Sequence, residues 1–300
     1  MAAVSRPHFD SGLKRWNPDD DSIYVLNRGD VATERARLEY NHHKVWLPLC
    51  GGLCPPQILA HLRQLPAPRV AELATGTGIW LRDMAAQLPS TAELRGIDMD
   101  TTKFPPASEL PKNMEMMQHN ALKPFPKEMH GTFDMVHVRL ISLGMKKDDW
   151  AVVARHLYAL LRPGGYLHWE EVGDGVWKVI PPSKAFDEWM RIATLWSMKV
   201  GRDPFMPARL PLVVQDAGFV DVDEKIFNSF GTRDMLREPM LKISKELVRP
   251  VMVCVLEDGG LETMQSEKDI DRLQEEIRRD VEENGVKFGF YYSWVWARHP

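Results

Sequence analysis

Two acids and a run of small residues carry the clearest chemistry in this chain. Glu72 stands just ahead of Ala74-Thr75-Gly76-Thr77-Gly78, and Asp98 follows Gly78 by twenty residues. A carboxylate such as Asp98 can accept from both hydroxyls of a ribose, and glycines let a ligand approach the backbone closely. The spacing is not G-x-G-x-x-G, because Gly76-Thr77-Gly78 runs on into Ile79, Trp80 and Leu81. Bulky Trp80 and Leu81 would crowd a pyrophosphate and Glu72 would repel it, which argues against a dinucleotide. Glu72 suits a cation instead, such as the amino group or sulfonium of S-adenosylmethionine. A second set, His137, Arg139, His168, Glu170 and Glu171, could take a proton from an acceptor.

These groups need elements to hold them. Arg69–Leu73 reads as a short buried strand, and Ile79–Gln87 as a helix whose free N–H groups face the glycine turn. Leu94–Asp98 is a second strand ending in the acid, which completes a nucleoside-binding βαβ unit. Asn113–Gln118 and Thr132–Arg139 read as the third and fourth strands. Asp149–Leu161 reads as a helix stopped by Arg162-Pro163-Gly164-Gly165, with Tyr166–Val172 the fifth strand. Ligands bind at the carboxyl edge of an open parallel sheet, and His137, Arg139, His168, Glu170 and Glu171 all fall there. Strand alternation puts His168 and Glu170 on one face and Glu171 on the other with Trp169.

The turn Glu72-Leu73-Ala74-Thr75-Gly76-Thr77-Gly78-Ile79-Trp80 resembles that of class I S-adenosylmethionine-dependent methyltransferases. In particular it is similar to an E/D-x-x-T-G-T-G-I-W turn of fungal secondary-metabolite methyltransferases. The L-x-P-G-G turn at Leu161–Gly165 is a second, independent match, and Arg37-Leu38-Glu39-Tyr40-Asn41-His42 is similar to the family's R-L-x-x-Q-H segment. The likeness runs from about Arg37 to Phe219. The family usually has glycine at position 74, and here Ala74 takes it at a cost in backbone freedom.

The resemblance implies an α/β, Rossmann-like fold: a mostly parallel seven-stranded sheet with helices on both faces. It also implies an N-terminal helical layer over the cofactor and a helical lid and insertion. Segments 1–66 would form the N-terminal cover and 67–300 the methyltransferase domain, with a lid over about 176–207 and an insertion over about 233–284. It implies S-adenosyl-L-methionine as cofactor and S-adenosyl-L-homocysteine as product. Cofactor contacts would come from Tyr24, Glu72, Ala74, Gly76, Gly78, Asp98, Met99, Asn120, Ala121 and Val138, with Arg28 a further candidate. The family usually has Asp-Ala where Asn120-Ala121 stands, and the amide oxygen of Asn120 can still accept from the adenine amine.

Elsewhere a helix is expected over Val31–Leu49, with Leu38, His42, Val45 and Leu49 on one face, and another over Gln57–Leu65. Ser183–Gly201, with Phe186, Trp189, Met190, Leu195, Trp196 and Met198, fits a buried core helix and a lid over an apolar substrate equally well. Leu210–Ala217 leads through Gly218 into a sixth strand at Val220. Arg233–Val248 and Glu267–Glu283 are expected helices, and Phe288–Arg298 a terminal strand inserted antiparallel.

The chain has 300 residues and a net charge of -4, with both signs mixed and no basic tract, which argues against a nucleic-acid substrate. Three cysteines are too few for a disulfide framework. The C-x3-C pair Cys50 and Cys54 lacks further ligands at a common spacing, so no metal is expected. With no apolar run of membrane length, the expectation is a cytoplasmic protein without a membrane partner. The sequence sets no oligomeric state.

Methyl transfer is an in-line displacement that needs mainly positioning. Glu171, His168 and His137 are the candidate bases, and Arg139, Trp177, Trp189 and Trp196 the candidate acceptor contacts. The fourth strand lacks the Asp/Asn-Pro-Pro-Tyr/Phe of base-directed enzymes and the acidic set of magnesium-dependent catechol types. The leading expectation is metal-independent transfer to a hydroxyl of a small apolar or aromatic secondary metabolite, with nitrogen or sulfur as alternatives. Velvet-associated regulatory methyltransferases share the same turn and would act through protein partners; such a regulator is expected to carry a long basic N-terminal extension, whereas about twenty acidic-to-neutral residues open this chain. A cofactor-binding pseudoenzyme is a third reading, if aromatic residues of Ser183–Phe205 plug the cleft.

Overall fold

A computed structural model describes residues 30–172 and 177–300. The chain begins with helix α1 (Val31–Asn41), capped by Asp30, whose carboxylate accepts from Thr33 N–H. It passes through a π-helical turn, His42–Trp46, into α2 (Leu47–Cys50), which ends on Gly51 in the left-handed region. After α3 (Pro56–Gln64) come β1 (Arg69–Leu73), α4 (Ile79–Ala85), β2 (Glu93–Asp98), β3 (Met114–Gln118), β4 (Phe133–Arg139), α5 (Asp149–Leu160) and β5 (Leu161–Glu171). The C-terminal part adds β6 (Trp177–Ile180), α6 (Lys184–Lys199), α7 (Leu210–Asp216), β7 (Val220–Asn228), α8 (Arg233–Glu257), α9 (Glu267–Glu282) and β8 (Lys287–Arg298).

The sheet runs β3-β2-β1-β4-β5-β8, with β7 paired to β8. Strands β1 to β5 are parallel, and β8 is antiparallel to both β5 and β7. This is the expected seven-stranded mixed sheet of a Rossmann-like methyltransferase. An eighth strand was not expected: β6 pairs with the first half of β8. Four residues ended by Pro181-Pro182 are too few for alternation to register, and β6 is held instead by Trp177 stacking on Phe288 at 4.7 Å.

Helix α8 also runs nine residues past its expected end, through Pro250. A proline inside a helix removes one hydrogen bond and costs about 3 kcal/mol. Val248, Val251, Met252 and Val255 are all buried along this stretch, and their packing outweighs that loss. The helix expected over Val31–Leu49 is present, but the extra residue of its π turn places both His42 and Trp46 toward the sheet.

Three apolar clusters build the interior. One lies beneath α3 and α4, one between the sheet and α5 and α7, and the third joins α6, α8, α9 and the first half of β8. No helix among the described residues is long and apolar enough to cross a membrane.

Candidate active site

The turn after β1 sets the site. Ala74 has φ +54° and Gly78 φ +70°, so the chain takes the left-handed conformation at position 74 despite its Cβ. At Gly78 a Cβ would stand 2.6 Å from Met114 Cε, a flexible methyl that can shift, so it is the positive φ that favours glycine. Glu72 is buried and accepts from Thr75 Oγ1 at 2.5 Å, which fixes the carboxylate under the turn. Asp98 Oδ2 accepts from Gly76 N–H at 2.8 Å, and its Oδ1 from Asp100 N–H at 3.0 Å. Burial raises the Asp98 carboxyl above its ordinary value, opposed by the Asp100 and Gly76 amides and by Lys103.

A cavity of about 920 Å3 opens over this carboxyl edge. Its wall includes Glu72, Ala74, Gly76, Asp98, Met99, Asn120, Ala121 and Arg139, together with Trp177, Trp189 and Trp196. Gly78 and Val138 are not on it: Gly78 caps α4, and Val138 is fully buried in the sheet. Tyr24 and Arg28 lie outside the described residues. Asn120 Oδ1 accepts from Leu122 N–H at 2.9 Å, so one lone pair of the expected adenine acceptor is already used within its own turn.

The three candidate bases lie off the cavity wall. Glu72, His137 and His168 are consecutive partners across β1, β4 and β5. Glu72 reaches the wall, whereas His137, covered by Trp80, and His168 are fully buried behind it. His137 stacks on Trp80 with ring centroids 3.7 Å apart, and its Nε2 faces Glu170 Oε1 at 2.9 Å. Its Nδ1 lies 3.3 Å from Glu72 Oε1. Tyr292 donates to the other oxygen of Glu170. Burial pulls the His137 imidazole down to about 4 and that of His168 to about 3. Glu171 is on the opposite face, where Oε1 accepts from Ile141 N–H at 2.9 Å and Trp169 Nε1 at 3.1 Å. Burial pushes its carboxyl up to about 7. It anchors the loop that follows β4. Trp80 and Leu81, expected to crowd a ligand, are packed in the core beneath α4, so Glu72 is the group that disfavours a pyrophosphate here.

Helical elements close the cavity. Glu34, Arg37 and Asn41 reach it from α1, the segment Leu140–Met145 from the end of β4, and Lys242, Glu246, Leu247 and Val251 from α8. Sequence reasoning overlooked the last two groups. The β4 loop could have been found from its place at the carboxyl edge, but nothing local marks α8, more than a hundred residues downstream. Trp189, Ala193 and Trp196 of helix α6 are buried in the third core and also line the cavity.

Two groups of side chains approach metal-ligand spacing: His42, His43 and Asp83, and His137, His168 and Glu170. Arg139 Nη1 donates to His42 Nδ1 at 3.2 Å, so His42 Nε2 carries its proton toward Asp83 rather than a lone pair toward a metal. Burial, with Arg139 alongside, holds that imidazole down at about 4.

Comparison with known proteins matches this arrangement. Residues 70–165, from β1 into β5, match the model of a methyltransferase domain. The chain is an S-adenosylmethionine-dependent methyltransferase. It is related to fungal methyltransferases of secondary metabolism. It is 29% identical over 274 residues to methyltransferase grgD of a Penicillium species, covering 89% of this chain and 93% of that one. It is 28% identical to N-methyltransferase tcpN of Claviceps purpurea, over 76% of this chain and 83% of that one. It is 26% identical to N-methyltransferase gliN of Aspergillus fumigatus, over 94% of this chain and 99% of that one. The residues present fit that cofactor: the Glu72 carboxylate beneath the glycine turn is of the charge a cationic group needs, and a carboxylate at the end of β2, Asp98, is able to accept from ribose hydroxyls.

Proposed function

We propose that this methyltransferase moves the methyl group of S-adenosylmethionine to a small, flat, apolar or aromatic secondary metabolite. The acceptor atom is a nitrogen first and a hydroxyl oxygen second. The sequence alone favoured oxygen, whereas tcpN and gliN are named N-methyltransferases, which supports nitrogen. The observation that carries the reading is one cavity whose wall combines Glu72, Gly76 and Asp98 with the large apolar side chains of Trp177, Trp189, Met190 and Trp196. A volume of about 920 Å3 is at the upper end of small-molecule sites, roughly 300–1,000 Å3, and leaves room for an acceptor beside the cofactor. Segment 176–207 acts in this reading as the acceptor cover.

The chemistry is in-line displacement. The acceptor lone pair attacks the methyl carbon, the carbon–sulfur bond breaks, and its electron pair stays on sulfur. Positioning and exclusion of water supply the rate. His137, His168 and Glu171 are too deeply buried to reach an acceptor; His137 lies against Glu72, and Glu171 holds the β4 loop.

Incubation with methyl-labelled cofactor and an extract of small metabolites, followed by mass spectrometry, tests this. A low-molecular-weight product heavier by one methyl is expected, with the new group on nitrogen. Label found only in protein, or tight protein binding without turnover, would shift the reading to a regulator.

A further inference from the structure

Arg139 is set apart from the other cations on the cavity wall. Arg37 is held bidentately by Glu34, Lys103 by Asp100 at 2.7 Å, and Lys242 by Glu246 and the face of Tyr40. Arg202 lies against the Trp196 ring. Arg139 donates through one nitrogen to the neutral His42 ring and forms no ion pair with a carboxylate among the described residues. A half-buried guanidinium with donors to spare, facing a cavity, is matched by an anionic oxygen, which it can hold by charge-assisted hydrogen bonds. Its place fits the reacting end of the site. Arg139 is two residues beyond the His137 row and one past the last β1–β4 pair, Leu73–Val138, where the two strands part company.

We infer that Arg139 binds the acceptor as an oxygen-bearing anion, the conjugate base of an N–H or O–H acid such as an imide or a phenol. This rests on the proposed small-molecule reading and adds the ionisation state of the acceptor. The proton leaves to bulk water before binding, and the guanidinium holds the charge on oxygen. The lone pair on nitrogen or oxygen then attacks the methyl, and the carbon–sulfur electron pair goes to sulfur. No side-chain base is required, in keeping with the burial of His137, His168 and Glu171. Other charges line the same cavity: Glu72 from β1, Asp98, Asp100 and Lys103 at and after β2, Lys146 and Asp149 at the start of α5, Arg202 after α6, and the paired Glu34–Arg37 and Lys242–Glu246 from α1 and α8. Glu170 and His42 are buried beside Arg139. The carboxylates oppose an anion, and removal of Arg139 alone tests whether a preference for the ionised form comes from it. An ionised group could also be the α-carboxylate of the cofactor itself, and the test separates the two.

The probes are 7-hydroxycoumarin, 4-nitrophenol and phthalimide, titrated by absorbance against excess protein saturated with S-adenosylhomocysteine, whose sulfur is neutral. The apparent pKa of at least one bound probe is expected to fall by about one unit or more, equivalent to about tenfold tighter binding of the anion. Arg139→Gln should abolish that fall and Arg139→Lys restore part of it, with S-adenosylhomocysteine affinity kept within about threefold. Equal probe ionisation in parent and Arg139→Gln, or failure of all three to bind at millimolar concentration, overturns the inference. Loss of about tenfold or more in S-adenosylhomocysteine affinity with unchanged probe ionisation assigns the guanidinium to the cofactor carboxylate and also overturns it. Turnover of a neutral amine unaffected by Arg139→Gln would sink this inference while leaving the methyltransferase reading intact.

Discussion

Trp80→Ala is expected to destabilise the fold by about 3–5 kcal/mol, the cost of removing a large buried aromatic side chain. Trp80 is 1% exposed, donates from Nε1 to the Leu53 carbonyl at 2.9 Å, and lies flat on His137. Its loss leaves a cavity under α4, an unpaired carbonyl and an unsupported imidazole between two carboxylates. Urea unfolding followed by fluorescence measures the effect. Trp80→Phe should recover much of it, because the ring remains and only the indole N–H is lost. A change below about 1 kcal/mol in Trp80→Ala would show that the stack is not a core contact.

Asp98→Ala is expected to weaken S-adenosylmethionine binding by about 1–3 kcal/mol, or roughly ten- to a hundredfold in Kd. Two effects combine. The ribose loses its charge-assisted acceptor, and the Gly76 amide loses the carboxylate that now holds the turn in shape. Asp98→Asn should fall between parent and alanine, since an amide oxygen still accepts without the charge. Calorimetry on the folded variants reads this directly. If Asp98→Ala binds as tightly as the parent, the ribose is held elsewhere.

Much of this architecture is legible because its signals are local. The Thr75–Gly78 turn, Asp98 at a strand end and the Leu161–Gly165 stop each mark one junction, and together they order strands β1 to β5. The terminal strand was also readable from its apolar run at Phe288–Trp296. What escaped depends on contacts made far along the chain. Strand β6 exists because β8 offers it an edge, and α8 continues through Pro250 because a buried face rewards it. The candidate bases show a further limit. Alternation correctly separated Glu171 from His168 and Glu170, but it does not say how far below the edge a residue sits. That depth depends on what packs over each residue: Trp80 covers His137, and Arg139, two residues farther along β4, is on the cavity wall.

The same packing accounts for the division of labour. Within the row across β1, β4 and β5, Glu72 lines the cavity, while His137, stacked on Trp80 of α4, and His168 are buried off it. Arg139, two residues beyond His137, meets the cavity. Glu171 is spent on the β4 loop, which carries Leu140 in the left-handed region and supplies a continuous stretch of wall from Leu140 to Met145.

Calorimetric titration of the intact chain with S-adenosylmethionine, and separately with NAD, tests the central claim most directly. One saturable S-adenosylmethionine site per chain and no saturable NAD binding is the expected result, because Glu72 beneath the turn favours a cation and opposes a pyrophosphate. Saturable NAD binding in the micromolar range, with none for S-adenosylmethionine, would contradict it.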